Sequence, residues 1–320
     1  MKIIFMGTPD FAVGTLEALV QAGHEVMLAV TQPDKPQGRK QVLVAPPVKE
    51  KALELGIPVF QPKRVREQES LRVLKDYEPE LIVVAAFGQI LPKELLDLPK
   101  YGCINVHASL LPKYRGAAPI QWAILNGDEV TGVTIMRMDV GLDTGDMIAK
   151  TEVKISPEDT GGTLFDRLAE AGACLCVETI PSIVDGTAVY TPQDESAATK
   201  VGMIKKQDGL IDFSRPAKAI ECQVRGLNPW PSAYTSLAGK TLKIWSAGVC
   251  EDATVIDGDP ASGTASVAPG TVVFTKKDCF GIQTGDGILV CKEVQLEGKK
   301  RMSAGDFLRG NTIEVGTILG

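Results

Sequence analysis

The run "LIVVAAF" at residues 81–87 constrains the fold of this 320-residue chain more than any other feature. An unbroken apolar run of this length is typical of a strand buried on both faces, as in parallel sheets covered by helices. Apolar runs at 2–7 and 24–32 alternate with helix-like segments at 11–23 and 47–56. Because parallel strands need crossover connections, this alternation predicts right-handed βαβ units and an α/β domain with a Rossmann-like, mostly parallel sheet.

The pattern changes in the last third of the chain. A long amphipathic helix is predicted at 163–184, and a polar, aperiodic stretch follows it. Beyond that stretch, short strand-like pieces separated by glycines predict a smaller, OB-like β-barrel. We therefore predict a first domain at 1–189, a linker at 190–206 and a barrel domain at 207–320.

Charge and hydropathy exclude several classes of protein. The net charge of −6 and the pI of about 5.2 argue against a general nucleic-acid-binding surface, and hence against DNA binding, although a local basic patch stays possible. No apolar run reaches the roughly 18 residues of a membrane span. The N-terminus lacks the pattern of a signal peptide. We therefore expect a cytoplasmic protein that does not contact membranes.

Cysteine spacing and glycine motifs exclude further chemistry. The seven cysteines include no CxxC pair, which favours reduced thiols over a disulfide framework or a metal site. Neither GxGxxG nor a P-loop follows the first strand, so NAD and ATP are not expected. The sequence thus predicts a protein without a metal ion or NAD.

His107 is one of only two histidines in the chain and lies near the end of the apolar run 102–109. Strand alternation places Asn105 and His107 on the same face. In open α/β sheets, ligands bind beyond the carboxyl ends of the strands. The loop at 138–147 is rich in aspartate and glycine, and we expect Asp143 to face His107 and hold its tautomer.

An amide, an imidazole and a carboxylate together suit a reaction through a tetrahedral oxyanion. Asn105 would donate to the oxyanion, and His107 would donate or shuttle a proton. Ser109 lies on the same face, but no second histidine is near to activate it, so covalent catalysis is the weaker alternative. From the pattern alone, a histidine packed in the core is an equally good interpretation of His107.

Two segments carry a family resemblance. "GCINVHASLLPKYRGAAPIQWAI", starting at Gly102, and "TGVTIMRMDVGLDTGDMI", starting at Thr131, closely resemble the folate-dependent formyltransferase family. The resemblance implies that Asn105, His107 and Asp143 are catalytic, that 10-formyltetrahydrofolate is the formyl donor, and that an amine attacks the formyl carbon. The folate-binding residues it implies are Phe87, Gly88, Gln89, Ile90, Leu91, Ser109, Leu110, Leu111, Pro112, Asp139, Val140 and Gly141.

Three more stretches, at 3–13, 31–49 and 225–234, resemble the methionyl-tRNA formyltransferases of that family. This resemblance implies formylation of the α-amine of methionine on initiator tRNA, for translation initiation, with the barrel domain binding tRNA. We expect the enzyme to act as a monomer. The residues expected to contact tRNA are Lys35, Arg39, Lys40, Lys205 and Lys206.

Other functions stay open at this point. One alternative is another enzyme on the same core, which formylates an amino sugar or hydrolyses the formylfolate. A second is an RNA-binding protein that has lost catalysis. Two further expectations concern single residues: Arg115 is expected to be free to approach substrate, and Trp230 of "NPWP" to be packed in a rigid turn.

Overall fold

The computed structural model describes residues 1–38, 41–250 and 267–320, which form two compact units. The first unit consists of Met1–Pro119, Val130–Lys154 and Leu164–Gly202. The second consists of Ile120–Glu129, Ile155–Thr163 and Met203–Gly320. None of the helices in the described residues is long and apolar enough to cross a membrane. The domain and linker limits derived from the sequence stay a prediction.

The first unit is built on a seven-stranded sheet. Four short strands of this unit, β3, β4, β8 and β11, lie outside that sheet. The described strands of the unit are β1 (Lys2–Gly7), β2 (Glu25–Val30), β3 (Lys35–Gln37), β4 (Val42–Val44), β5 (Val59–Phe60), β6 (Leu81–Ala85), β7 (Cys103–His107), β8 (Arg115–Gly116), β9 (Val130–Arg137), β10 (Met147–Lys154) and β11 (Lys200–Val201). The sheet order is β10-β9-β7-β6-β1-β2-β5. Strands β5, β2, β1, β6 and β7 pair in parallel, and β9 and β10 are antiparallel additions. The predicted fold class, with a mostly parallel sheet, is confirmed.

Most helices of the described residues occur where the apolar periodicity predicts a helix. They are α1 (Asp10–Gln21), α2 (Pro47–Glu54), α3 (Gln68–Asp76), α4 (Lys93–Leu96), α5 (Pro119–Leu125), α6 (Gly161–Asp185), α7 (Ala217–Gly226) and α8 (Ala304–Gly310). The short helix α8 is an addition that the periodicity of the sequence did not indicate as a separate element.

Strand β7 has one face packed against helix α6. A Cβ atom at Gly172 of α6 would lie 2.8 Å from the side chain of Val106, so a glycine is needed at this close approach. The ring of Phe165, also on α6, packs edge-on against Phe11 with centroids 5.6 Å apart. The face of β7 that carries Val106 is therefore closed by a helix, and Asn105 and His107 belong to the other face.

The second unit contains a six-stranded antiparallel sheet. Its strands are β12 (Ala233–Leu237), β13 (Lys240–Cys250), β14 (Val272–Thr275), β15 (Phe280–Gln283), β16 (Ile288–Leu296) and β17 (Met302–Ser303). The order is β12-β13-β16-β15-β14, and β17 also pairs with β16. Apolar side chains such as Leu242, Ile244 and Phe280 are buried together with Ile220 and Val224 of α7. The glycine-separated strand pieces predict a small β-barrel domain, and in the structure the described strands of this unit pair as an antiparallel sheet.

Candidate active site

His107 ends strand β7 and is buried. Its Nε2 lies 3.0 Å from the carbonyl oxygen of Tyr114. Because a carbonyl oxygen only accepts hydrogen bonds, Nε2 carries the hydrogen and donates it. Nδ1 lies 3.7 Å from Oδ2 of Asp143. The ring is therefore held by its Nε2 edge, and its Nδ1 edge faces a carboxylate.

Asp143 is fixed by contacts with its own loop and with β8. Its Oδ2 accepts a hydrogen bond of 2.8 Å from the backbone N–H of Gly116. Its backbone has a φ of +53°, a left-handed conformation that aspartate and asparagine tolerate better than most residues. The structure thus brings Asp143 to His107, as expected from the sequence.

Asn105 lies two positions before His107 on the same face of β7, flanked by Val84 of β6 and Met136 of β9. The residue is partly buried. Within the part of the chain that the structure describes, its side-chain amide makes no hydrogen bond. The amide is thus available to a ligand atom that approaches the end of this strand.

The segment 109–112 forms a tightly bonded loop next to His107. The hydroxyl of Ser109 is buried and donates to the carbonyl oxygen of Lys113 at 2.6 Å. Thr134 of β9 donates its hydroxyl to the Ser109 carbonyl at 2.7 Å and accepts the N–H of Leu111 at 3.1 Å. The Ser109 hydroxyl is committed to the loop, which agrees with covalent catalysis being the weaker alternative.

Lys150 of β10 anchors the same loop from the other side. Its Nζ donates to the carbonyl oxygen of Leu111 at 2.5 Å. Burial lowers the pKa of Lys150. Leu111 itself is buried among methionines, whereas Leu110 and Pro112 are half-buried. Lys150 and Thr134 are site residues that sequence reasoning missed, since nothing in the local pattern marks them.

The segment 87–91 combines core and exposed residues. Phe87 and Leu91 are fully packed in the hydrophobic core. The side chain of Gln89 is engaged within the same unit, since its Oε1 accepts a hydrogen bond of 2.8 Å from the backbone N–H of Val65. Ile90, by contrast, is 78% exposed. Ile90 is therefore the apolar side chain that this segment presents to a ligand.

The backbone of the same segment is held by the side chain of Gln32, which lies two residues after the end of β2. Nε2 of Gln32 donates to the carbonyl oxygens of Phe87 and Gly88, both at 3.2 Å. Thr8 adds a hydroxyl hydrogen bond of 3.1 Å to the Phe87 carbonyl. Gly88 is exposed and has a positive φ of 79°. The loop is thus shaped by Gln32 and Thr8 before any ligand binds.

The loop 139–141 is closed by Asp139. Its Oδ1 accepts the N–H of Gly141 at 2.9 Å and the hydroxyl of Thr144 at 2.7 Å. Val140 and Leu142 project as exposed apolar side chains. Asp139 therefore supports the loop, and the exposed apolar surface comes from its neighbours.

The expectation that Arg115 is free to approach substrate is wrong. Arg115 is 1% exposed, the largest fully buried side chain among the described residues. Its guanidinium donates to both carboxylate oxygens of Glu195, at 2.7 and 3.0 Å, and to Oε1 of Gln193 at 2.9 Å. Hydrogen bonding to Glu195 raises the pKa of Arg115, and the pKa of Glu195 is lowered by the same contact. Nothing in the sequence indicates these partners, which lie inside the predicted linker.

The candidate tRNA-contacting residues fall in both units. Lys35 is exposed on the β3–β4 hairpin, where it pairs with Val44, and Arg39 and Lys40 lie outside the described residues. Lys205 and Lys206 are exposed at the start of the second unit. The expectation of a packed tryptophan in "NPWP" is wrong, because Trp230 is 58% exposed.

Four of the seven cysteines are buried, as expected from the sequence. Cys103, Cys176, Cys222 and Cys291 are buried, and Cys174 is exposed. Across residues 1–38, 41–250 and 267–320, no three His, Cys, Asp or Glu side chains are grouped so that they could hold a metal ion.

Comparisons with known proteins relate the whole chain to one family. Residues 1–180 match the family model described as "Formyl transferase", and residues 203–312 match "Formyl transferase, C-terminal domain". The chain is 58% identical to the methionyl-tRNA formyltransferase of Agathobacter rectalis, over 99% of both chains. It is 51% identical to the Bacillus subtilis (strain 168) methionyl-tRNA formyltransferase, over 100% of this chain and 98% of that one.

A solved structure shows the same fold at lower identity. The sugar 3N-formyl transferase WlaRD, determined in the presence of dTDP and 5-N-formyl-THF, superposes with a TM-score of 0.64 at 20% identity. The match covers 94% of this chain and 99% of WlaRD. The family matches confirm the resemblance of the sequence to folate-dependent formyltransferases. The chain belongs to the formyl transferase family, in the group of the methionyl-tRNA formyltransferases.

Proposed function

We propose that this enzyme transfers a formyl group from 10-formyltetrahydrofolate to the α-amine of methionine esterified to initiator tRNA, with Asn105, His107 and Asp143 as catalytic residues. The observation that carries the assignment of these residues is the 3.7 Å approach of Asp143 Oδ2 to His107 Nδ1 beside the unbonded amide of Asn105. The names of the full-length relatives support the substrate.

The site chemistry follows from the available hydrogen-bonding groups. The amine nitrogen attacks the formyl carbon, and Asn105 donates a hydrogen bond to the oxygen as it becomes an oxyanion. Since Nε2 of His107 is tied to the Tyr114 carbonyl, Nδ1 is the ring atom that exchanges protons with the substrate. The negative charge of Asp143 stabilises the positive ring that forms when Nδ1 gains a proton.

His107 and Asp143 also serve the proton transfers that the reaction needs. After the attack, the amine nitrogen carries one proton more than the product amide does. His107 takes this proton on Nδ1 and gives it to the departing folate nitrogen as the carbon–nitrogen bond to the folate breaks. The attacking ammonium must first lose a proton, and a water held by Asp143 is the base that we propose. The new amide then carries the formyl group, and the folate leaves as tetrahydrofolate.

The loops around the triad fit a flat, partly apolar donor. Ile90, Val140 and Leu142 are exposed apolar side chains that lie in or beside the predicted folate segments. Exposed apolar groups of this kind stabilise a bound ring by removing its apolar surface from water. We propose that these three contact the folate, and that Phe87, Leu91, Ser109 and Leu111 act from beneath by shaping the loops.

The second unit offers a surface for RNA. A cavity of ≈ 450 Å³ is lined by Lys206, Lys243, Tyr234 and Gln295, among others. Basic and aromatic side chains together suit phosphates and unstacked bases. We propose that Lys206 contacts tRNA at this cavity. We propose that Lys205, Lys35 on the β3–β4 hairpin, Arg39 and Lys40 contact tRNA as well. We also propose a cytoplasmic monomer that needs neither metal nor NAD and binds neither DNA nor membranes.

Replacing His107 tests the catalytic assignment. We expect His107→Ala to lower kcat for formylation of methionyl-tRNA by about 100-fold or more, the usual contribution of a general acid–base group. His24→Ala, which replaces the half-buried histidine before β2, is the control and should keep wild-type activity. Wild-type rates in a folded His107→Ala protein would contradict the assignment, and faster formylation of a nucleotide-sugar amine than of methionyl-tRNA would contradict the substrate.

The RNA surface is tested by salt dependence. Removing one phosphate contact should reduce the slope of log affinity against log salt by about one. We expect this for Lys206→Ala with initiator tRNA, and no change for Lys75→Ala, an exposed lysine of α3. Equal slopes for both variants would remove Lys206 from the tRNA surface.

A further inference from the structure

We infer that Gln193 is a positioning residue for formyl transfer, holding the loop that carries Asp143. The inference rests on the proposed catalytic role of Asp143. Gln193 lies between Tyr190 and Val201, in the segment predicted from the sequence to be a linker. In the structure this segment is part of the first unit, and it pairs there through Thr191 with Met147 and through β11 with β8.

The side-chain amide of Gln193 joins two parts of the site. Nε2 donates to the carbonyl oxygens of Asp143 and Gly145, both at 2.8 Å. Oε1 accepts from Nε of the buried Arg115 at 2.9 Å. One side chain thus spans the Asp143 loop and the start of β8.

The same two parts are joined again at the catalytic carboxylate. Gly116 follows Arg115 in β8, and its N–H holds Oδ2 of Asp143 at 2.8 Å. Asp143 is therefore held at two points: Gln193 donates to its main-chain carbonyl, and Gly116 donates to its carboxylate. Since the backbone of Asp143 is in the left-handed region, these contacts oppose relaxation of the loop.

An amide side chain is needed at position 193, because the residue there both accepts and donates hydrogen bonds. A glutamate at 193 would still accept from Arg115, but it would present oxygen to the carbonyls of Asp143 and Gly145 and leave both without their donor. It would also add a negative charge beside the loop. Gln193→Glu therefore keeps the size of the side chain and its contact with Arg115 and removes the grip on the loop.

Steady-state kinetics of the full-length enzyme test the inference. We expect Gln193→Glu to lower kcat on the order of 100-fold, the effect of small misplacement of a reacting group. The KM for methionyl-tRNA should change little, since the variant leaves the proposed RNA surfaces intact. Gln193→Leu, which lacks all three hydrogen bonds, should lower kcat in the same way. Gln21→Glu, an exposed position at the end of α1, controls for the added charge.

A double-mutant cycle separates positioning from a general structural effect. If Gln193 acts through Asp143, Gln193→Glu should cost little, about twofold or less, when Asp143 is already Asn. Equal losses in both backgrounds, or a kcat near wild type for Gln193→Glu and Gln193→Leu, would overturn the inference. Wild-type activity of Asp143→Asn alone would instead overturn the proposed catalytic role of Asp143. Thermal unfolding of each variant establishes that the kinetics come from folded protein.

Discussion

Nδ1 of His107 lies 3.7 Å from Oδ2 of Asp143, and both side chains are largely shielded from water. The two residues come from different elements, the end of β7 and the loop before β10. Because Nε2 of His107 is committed to a backbone carbonyl, the Asp143 carboxylate faces the one ring nitrogen that can exchange a proton.

Asp143→Asn should lower kcat for formyl transfer on the order of 100-fold or more. The amide oxygen of asparagine can still accept from Gly116, so the loop keeps its anchor and only the negative charge is lost. Single-turnover formylation assays measure the effect. Asp76→Asn, at the exposed end of α3, is the matched control. Unchanged single-turnover rates in Asp143→Asn would show that the charge plays no part.

Gly116→Ala should destabilise the protein and lower activity together. A Cβ atom there would lie 2.5 Å from the carbonyl oxygen of Val201, and the φ of +103° disfavours any side chain. We expect a loss of about 2 kcal/mol in the free energy of unfolding, typical of strain at such a backbone position. Urea unfolding and formylation assays measure both effects.

The control for this clash is Gly186→Ala. Gly186 has a φ of +78°, and nothing lies within 4 Å of the point that a Cβ atom would occupy, so only the backbone cost remains. We expect a loss of about 1 kcal/mol in the free energy of unfolding and full activity. Equal losses in the two variants would mean that the contact with Val201 does not constrain residue 116.

Stability should depend on the ionisation of Glu195 in acid. Hydrogen bonding to Arg115 lowers the pKa of Glu195 in the folded protein. The carboxylate therefore contributes stability above the ordinary glutamate pKa of about 4.3, and this contribution is lost as the pH falls through the lowered pKa. Urea midpoints of wild type and Glu195→Gln should differ at neutral pH and converge in acid. A difference independent of pH would contradict the prediction.

Alkylation should discriminate among the cysteines. Burial raises the pKa of Cys103 and of Cys176 to about 12, so at about pH 8 neither forms the reactive thiolate in the folded protein. Cys174 is exposed and should react. Peptide mass spectrometry after brief iodoacetamide treatment measures the labelling. Rapid labelling of Cys103 or Cys176 without denaturant would contradict their burial.

The sheet and the pairing of Asn105 with His107 were predictable because they follow from local rules. Apolar runs marked β1, β6 and β7, and the two-residue period of a strand placed both polar side chains on one face. The resemblance to formyltransferases supplied their chemistry, since the pattern alone fitted a packed histidine equally well.

The environment of Arg115 was not predictable from the sequence. Its partners lie 78 and 80 positions away, in a stretch whose polar, aperiodic composition suggested a linker. Such a stretch has no periodic apolar face to mark it as packed, and its attachment rests on individual hydrogen bonds. The prediction for Trp230 was wrong in the opposite direction, because its aromatic character suggested burial and the fold leaves it exposed.

By itself, the sequence determined the α/β class, the second domain of short strands and the strand face that carries Asn105 and His107. These properties depend on hydrophobic periodicity, which a few neighbouring residues express. Only the tertiary structure decided that Arg115 is buried, that Gln193 bonds to the Asp143 loop, and which edge of His107 faces the carboxylate. Each of these depends on hydrogen bonds between segments far apart in the chain, whose geometry exists only once the backbone has folded.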